Sequence, residues 1–200
     1  MSVKCGAVLR MPLAQQIVIC ASLFFIVSAC TENETPPQLE AYAYPSASTS
    51  TRCEASARAG HAGAIDGKTS ADGIRYMVRT PSNYDPTFAH PLLMVYAPAG
   101  QGRWASERFA GLTTAATGAG FVVVYTDHKP LNISTIEQLG AIPGLVAKEW
   151  CVDESKVSVT GHSDGGTASL MLAVIEKTKN VPATIAPSAA GVTGKDLEAY

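Results

Sequence analysis

Residues 161–165 (GHSDG) form the pattern G-x-S-x-G, in which a serine held between two glycines can act as a nucleophile. The pattern alone is weak, because a chain with 17 glycines can meet it by chance. Its setting is more specific: a β-branched run, 157–160, precedes it and an apolar run, 167–175, follows it. A strand, a tight turn and a helix are the setting that a serine nucleophile for acyl transfer requires. The alternative is a tight turn that carries an incidental serine.

The glycines of this turn have a predicted steric purpose. Side chains at Gly161 and Gly165 would collide with neighbouring backbone, so the turn can lift Ser163 above the end of the strand. The N-terminus of the following helix favours negative charge that develops on a substrate. We therefore expect the N–H of Asp164, directly after the serine, to be one donor of an oxyanion hole.

The elements that must position this turn alternate along the chain. Apolar runs predict strands, and the segments between them predict helices, one of them opened by a capping box at Ser134 and Glu137 and interrupted by Pro143 and Gly144. The predicted strands are 74–79, 91–97, 121–125, 156–160 and 183–187, and the predicted helices are 104–117, 134–150 and 164–177. This order predicts an α/β fold with a mostly parallel sheet and helices on both faces.

Ligands of such sheets bind beyond the carboxyl ends of the strands. The loop 97–102 (APAGQG) follows one strand and lies where the second oxyanion donor is needed. Asp127 and His128 follow another strand and could line the mouth of the site, but solvated loop positions are the favoured alternative. Ser188 follows the last strand.

Two of the other histidines are expected at the surface. His61 falls in a loop and His90 at the start of a strand. His162 adjoins Ser163 in the chain, so its ring is expected to point away from the serine oxygen and either to serve packing or to support residues of the site without contacting the substrate.

The first 29 residues have the features of an export signal. Lys4 and Arg10 precede an apolar run, 17–29, which is too short to span a membrane as a helix. The run ends in Val-Ser-Ala-Cys, which resembles a bacterial lipobox, so Cys30 is predicted to carry a lipid; a plain signal peptide with an incidental cysteine is the alternative. Thr31 after that cysteine favours the outer membrane or cell surface, and residues 30–52 are predicted to be a flexible tether.

Two cysteines remain after the signal peptide and the lipid site are set aside. Cys53 and Cys151 are an even count in an oxidising compartment, which predicts a disulfide; two buried free thiols are the alternative.

Composition limits the remaining possibilities. A chain of 200 residues with 46% hydrophobic residues is suited to one packed domain, predicted over residues 53–200. A net charge of −2 gives no basic surface for nucleic acid, so none is expected as a partner. There is no cysteine and histidine cluster with zinc spacing, and serine chemistry needs neither metal nor organic cofactor.

Several segments together resemble the polyhydroxybutyrate depolymerase and feruloyl-esterase-like group of secreted α/β hydrolases. These segments are 75–78 (RYMV), 81–85 (PSNYD), 91–95 (PLLMV), 150–153 (WCVD) and 156–166 (KVSVTGHSDGG). The resemblance implies a Ser-His-Asp esterase of the α/β-hydrolase fold, acting on hydroxyalkanoate esters or on acyl esters of plant polymers. It also implies that Cys151 is disulfide-bonded.

The chain departs from that group after the first buried strand. Where the group shows His-Gly, this chain has Ala97 and Pro98. Alignment on Gly100 makes the N–H of Ala99 the expected second oxyanion donor, because Pro98 has no N–H.

A second departure is that no histidine follows His162. In this fold the acid and the histidine follow the serine in the chain. We therefore expect the sequence to be a fragment that lacks the C-terminal strands, with both residues beyond Tyr200, and residues 53–200 to be poorly soluble alone. The alternatives are an upstream base such as His128, a naturally truncated or inactive relative, and a surface lipoprotein that binds without hydrolysis.

Overall fold

The computed structural model describes residues 52–54 and 58–192. The predicted signal peptide, the lipid site at Cys30 and all of the predicted tether except Arg52 lie outside these residues. In the part that the structure describes, no helix is long and apolar enough to cross a bilayer.

Within the described residues, six strands form one sheet. They are β1 (Ala64–Thr69), β2 (Arg75–Arg79), β3 (His90–Tyr96), β4 (Val122–Thr126), β5 (Val152–His162) and β6 (Thr184–Ser188). Their order across the sheet is β1-β2-β4-β3-β5-β6. Strands β4, β3, β5 and β6 are parallel, whereas β1 pairs antiparallel with β2, and β2 pairs antiparallel with β4. The prediction of a mostly parallel sheet is therefore confirmed.

Helices cover both faces of the sheet, as predicted. They are α1 (Arg103–Ala110), α2 (Thr113–Gly118), α3 (Ile133–Glu149) and α4 (Asp164–Leu172). On one face, α3 and α4 pack on the larger core, which includes Leu92, Val124 and Val159. On the other face, Ala110, Leu112 and Ala116 pack on a smaller cluster formed by Met77, Val95, Val123 and Tyr125. The strands between the two layers are apolar on both sides, as in β4, where all five residues are buried.

The segment 104–117 was predicted as one helix, and this prediction is wrong, because the segment forms two helices. Gly111 ends α1 in the left-handed conformation, with φ of 63°, and its N–H bonds the carbonyl of Glu107. A glycine carries no steric penalty there, so the chain can turn before α2 begins.

Two details predicted for the next helix are also wrong. Its N-cap is Asn132, whose side chain accepts the N–H of Thr135 at 2.9 Å, so Ser134 and Glu137 do not form the capping box. Pro143 does not interrupt α3. It removes one helical N–H, and the hydroxyl of Tyr96 lies 3.5 Å from the Leu139 carbonyl that this N–H would have bonded.

The ends of the fold differ from the sequence expectation in two places. The helix predicted to reach residue 177 ends at Leu172, and turns follow it. Strand β1 was not predicted, because its sequence AIDGKT is polar and contains a glycine. In the structure this strand is largely exposed, and Gly67 has φ of 79°.

The disulfide between Cys53 and Cys151 is confirmed, with the two Cα atoms 5.9 Å apart. It joins the start of the described part of the chain to the residue before β5. The N–H of Cys151 also bonds the hydroxyl of Tyr84 at 2.8 Å. These contacts anchor the end of the sheet that lies opposite the serine turn.

His90 was expected at the surface, and this prediction is wrong. Its side chain is buried, stacks on Tyr84 and donates from Nδ1 to the carbonyl of Gly120 at 2.9 Å. His61, in contrast, is exposed as expected.

Candidate active site

Ser163 occupies the turn between β5 and α4 with φ of 55° and ψ of −122°. Among the residues described, only Ala189 is a second non-glycine residue with positive φ. An L-residue in this region is strained by about 1–3 kcal/mol and persists only where its surroundings impose it. The turn therefore holds Ser163 in a conformation that the serine would not adopt by itself.

Three glycines impose this geometry, as predicted for two of them. A Cβ on Gly165 would overlap the carbonyl oxygen of Tyr96, and one on Gly161 would come within 2.5 Å of the Gly165 backbone. A Cβ on Gly166 would overlap the carbonyl oxygen of Ser188. The turn can therefore pack tightly between β3 and β6 only with glycine at these positions.

Hydrogen bonds fix Ser163 on both sides. Its N–H donates to the carbonyl of Ser188 at 3.0 Å, and its own carbonyl accepts the N–H of Thr167 at 2.9 Å. The residue is half-buried. Asp164, the first residue of α4, has an N–H that no carbonyl within the helix can accept.

The loop after β3 forms a tight turn at the carboxyl end of the sheet, the end at which the serine turn also lies. The N–H of Gln101 bonds the carbonyl of Pro98 at 3.1 Å, and Gly100 has φ of 70°, which a type II turn favours at its third position. Ala99 and Gly100 are exposed, and their N–H groups bond no acceptor within the described part of the chain. Two unpaired backbone donors therefore lie at the carboxyl end of the sheet, where oxyanion donors were predicted.

Asp127 is not the solvated loop residue that the sequence favoured. Its carboxylate accepts the backbone N–H of Arg103 at 2.8 Å and pairs with the guanidinium groups of Arg103 and Arg75 at 3.1 Å and 2.7 Å. Burial raises the pKa of Asp127, but the hydrogen bonds from Arg103 and the charges of both arginines outweigh burial and lower the pKa overall. The residue is therefore ionised at neutral pH and holds the start of α1.

His128 also has specific contacts, so the solvated alternative is wrong for it as well. Its N–H donates to the carbonyl of Gln101 at 2.9 Å, and its ring donates from Nε2 to Oδ2 of Asp164 at 3.0 Å. Neither contact could be predicted, because the partners lie 27 and 36 positions away in the chain.

His162 serves packing, as predicted. Its ring lies 5.1 Å from that of Phe109, and its Nδ1 lies 3.2 Å from the hydroxyl of Ser188. None of the four histidines, all of which the structure describes, hydrogen-bonds the hydroxyl of Ser163.

A cavity of about 260 Å³ lies beside α1, and Ser163 does not line it. Its walls include Pro98, Phe109, Leu112, His162 and Ser188. Within residues 52–54 and 58–192, no three histidine, cysteine, aspartate or glutamate side chains converge in a way that could hold a metal ion.

No protein-family model and no curated protein matches this sequence. Solved structures do resemble it. The fluorophosphonate-binding serine hydrolase FphF of Staphylococcus aureus, in a substrate-bound structure, is 16% identical, with a TM-score of 0.56 over 69% of this chain and 61% of its own. The S-formylglutathione hydrolase FrmB of the same organism is 14% identical, with a TM-score of 0.54 over 68% of this chain and 60% of its own.

A third similar structure is esterase 2 of Thermogutta terrifontis, phosphorylated by paraoxon. It is 16% identical, with a TM-score of 0.51 over 68% of this chain and 64% of its own. This chain thus spans about three fifths of the length of the solved structures that it resembles. Together with the sheet order and the serine turn, the likeness shows that the chain has the α/β-hydrolase fold.

Proposed function

We propose that this protein is a serine hydrolase that cleaves carboxylic esters through an acyl-enzyme on Ser163. The observation that carries the proposal is the strained backbone of Ser163, with φ of 55°, at the turn from β5 into α4. Strain of this kind is retained where it serves a function, and here it presents one hydroxyl beyond the strand end.

In the proposed reaction, Oγ of Ser163 attacks the ester carbonyl carbon while its proton passes to a general base. The oxyanion accepts hydrogen bonds from the N–H of Asp164 and from the N–H of Ala99 or Gly100. Collapse of the tetrahedral intermediate breaks the ester C–O bond, and the alcohol leaves with the proton from the base. Water then attacks the acyl carbonyl carbon and gives its proton to the base. Collapse of the second tetrahedral intermediate breaks the bond to Oγ of Ser163, which takes that proton back from the base as the acid leaves. That a histidine and an acid beyond Tyr200 act as base and orienting group stays a prediction.

The test is hydrolysis of p-nitrophenyl butyrate by the full-length protein beside two serine variants. Ser163→Ala should abolish turnover. Ser134→Ala, which removes an exposed hydroxyl at the start of α3, should leave turnover unchanged. Equal activity of wild type and Ser163→Ala would overturn the proposal, and so would a wild type without turnover, which would favour a surface protein that binds without hydrolysis.

For the substrate we propose hydroxyalkanoate polyesters or their oligomers, on the resemblance of the 150–153 and 156–166 segments to polyhydroxybutyrate depolymerases. The alternative is a feruloyl or acetyl esterase that acts on plant polymers. Initial rates on 3-hydroxybutyrate oligomers, methyl ferulate and acetylated xylan compare the three directly. A kcat/KM for either plant ester that exceeds the value for the oligomers would contradict the hydroxyalkanoate assignment.

We further propose that the protein is exported and anchored to the outer membrane or cell surface through a lipid on Cys30. The apolar run 17–29 and the lipobox-like sequence support this, and the Cys53–Cys151 disulfide suits an oxidising compartment. Palmitate labelling and membrane fractionation of wild type and Cys30→Ala provide the test. Label that persists in Cys30→Ala would contradict the anchor.

A further inference from the structure

The two residues after β4 contact two separate parts of the proposed site. We infer that Asp127 and His128 are positioning residues that set the spacing between the two arms of the oxyanion hole. The inference rests on the proposed function, in which one arm is the loop of Ala99 and Gly100 and the other is the N–H of Asp164.

The first arm is held by hydrogen bonds to Gln101 and Arg103, which follow its two donors in the chain. The carbonyl of Gln101 accepts the N–H of His128 at 2.9 Å, and the N–H of Arg103 donates to Oδ1 of Asp127 at 2.8 Å. The guanidinium of Arg103 also pairs with Asp127 at 3.1 Å and with Asp66 at 2.6 Å. The Asp127 side chain is 14% exposed, so its own charge-assisted contacts with Arg103 are shielded from most of the solvent.

The second arm is held by the histidine ring. Nε2 of His128 donates to Oδ2 of Asp164 at 3.0 Å, and the His128 side chain is 15% exposed. Asp164 begins α4 and supplies the other proposed donor. Ala97, Asp127, His128 and Asp164 all line one small void of about 10 Å³, so the end of β3 and the start of α4 both adjoin these two residues.

Adjacency in the chain keeps the two anchors close together. The Cα atoms of consecutive residues are about 3.8 Å apart across a trans peptide, and hydrogen bonds hold Asp127 to Arg103 and His128 to Gln101 and Asp164, so a displacement of one anchor is passed to the other. Donors of an oxyanion hole act only if they meet the developing charge at hydrogen-bond distance, and a displacement of about 1 Å can cost about a hundredfold in rate. Asp127 and His128 thus act on the rate through the backbone donors and need not touch the substrate.

The test compares Asp127→Asn and His128→Gln with Asp153→Asn in the full-length protein. Asp153 is a matched control at the other end of the sheet. Its carboxylate accepts the N–H of Ser155 at 3.0 Å and pairs with Lys156 at 3.1 Å, and its side chain is 10% exposed. For each protein, the kcat and KM for p-nitrophenyl butyrate, the melting temperature and the inhibition constant of a trifluoromethyl ketone are measured. The ketone is informative because its serine adduct carries the oxyanion.

We expect both site variants to lower kcat by about tenfold to a hundredfold with KM changed less than twofold, as for a lost transition-state contact. The inhibition constant should rise by the same factor as kcat/KM falls. Asp153→Asn should lower the melting temperature without these kinetic changes. If Asp127→Asn does not fold, His128→Gln, which keeps the main-chain bond to Gln101, provides the same comparison.

Two results would overturn the inference. One is kinetic loss no greater than in Asp153→Asn. The other is loss of kcat without any change in the inhibition constant. Either result, with an active wild type that depends on Ser163, would leave the proposed function standing. A wild type without esterase activity would overturn both.

Discussion

Gly165 lies so close to Tyr96 that a Cβ added to Gly165 would overlap the Tyr96 carbonyl oxygen. The contact joins the first turn of α4 to the end of β3, and the three atoms nearest to the added Cβ are all backbone atoms. Backbone in the centre of a sheet cannot move aside as a flexible side chain can. The position of the serine turn is therefore fixed by the absence of a side chain at residue 165.

Replacement of Gly165 by alanine is expected to destabilise the protein by about 1–3 kcal/mol, because the added methyl group forces the turn away from β3. Gly144 in α3 is the matched control, since a Cβ there would meet no atom within 4 Å. Gly144→Ala should instead stabilise by about 0.5–1 kcal/mol through helix propensity. Urea unfolding of both variants measures the difference, and equal effects of the two substitutions would contradict the steric account.

Loss of the Cys53–Cys151 disulfide is expected to destabilise the folded domain by about 4–5 kcal/mol. The bond closes a loop over a sequence separation of 98 residues, and the chain-entropy model assigns a long loop a large effect on the unfolded state. The double variant Cys53→Ser/Cys151→Ser and the reduced wild type should unfold at the same urea concentration. If reduction leaves the unfolding midpoint of the wild type unchanged, the bond does not stabilise the domain.

The ion pair between Arg79 and Glu107 predicts a loss of stability in acid. Nε and Nη2 of Arg79 bond the two carboxylate oxygens of Glu107 at 2.7 and 2.8 Å, which ties β2 to α1. Burial raises the pKa of Glu107, but hydrogen bonds from Arg79 and Thr113, with the charge of Arg79, outweigh burial and lower the pKa overall. A folded-state pKa below the unfolded value means that the pair stabilises above about pH 4.3 and ceases to do so as pH falls through the folded-state pKa.

Glu107→Gln should therefore be less stable than wild type at pH 7, by about 2 kcal/mol, and the difference should shrink towards pH 3. Urea unfolding across this range measures the difference, with Glu176→Gln as a control for the loss of one exposed carboxylate. A difference that stays constant from pH 7 to pH 3 would show that ionisation of Glu107 does not contribute.

The parts of the fold that the sequence predicted are those set by local pattern. The buried strands β3 and β4 appear as continuous apolar runs, and the serine turn appears as glycines between a β-branched strand and an apolar helix. Strand β1 could not be found this way, because a polar edge strand with Asp66 and Gly67 has the composition of a loop.

The contacts that hold the site could not be predicted for a different reason. The sequence favoured solvated loop positions for Asp127 and His128, because polar residues that follow a strand are usually solvated. Their partners Arg103 and Asp164 lie 24 and 36 positions away, and only the packed sheet brings them within hydrogen-bond distance. The signs of the charges do not identify Arg103 and Asp164 as the partners, because other charged residues in the chain are equally possible partners.

Covalent labelling of the full-length protein with a fluorophosphonate, followed by mass spectrometry of its peptides, tests whether Ser163 is the nucleophile. We expect one phosphonylated residue, Ser163, with p-nitrophenyl butyrate hydrolysis lost in proportion to labelling and no label in Ser163→Ala. Label at another serine, or an unlabelled wild type, would contradict the role of Ser163 as the nucleophile.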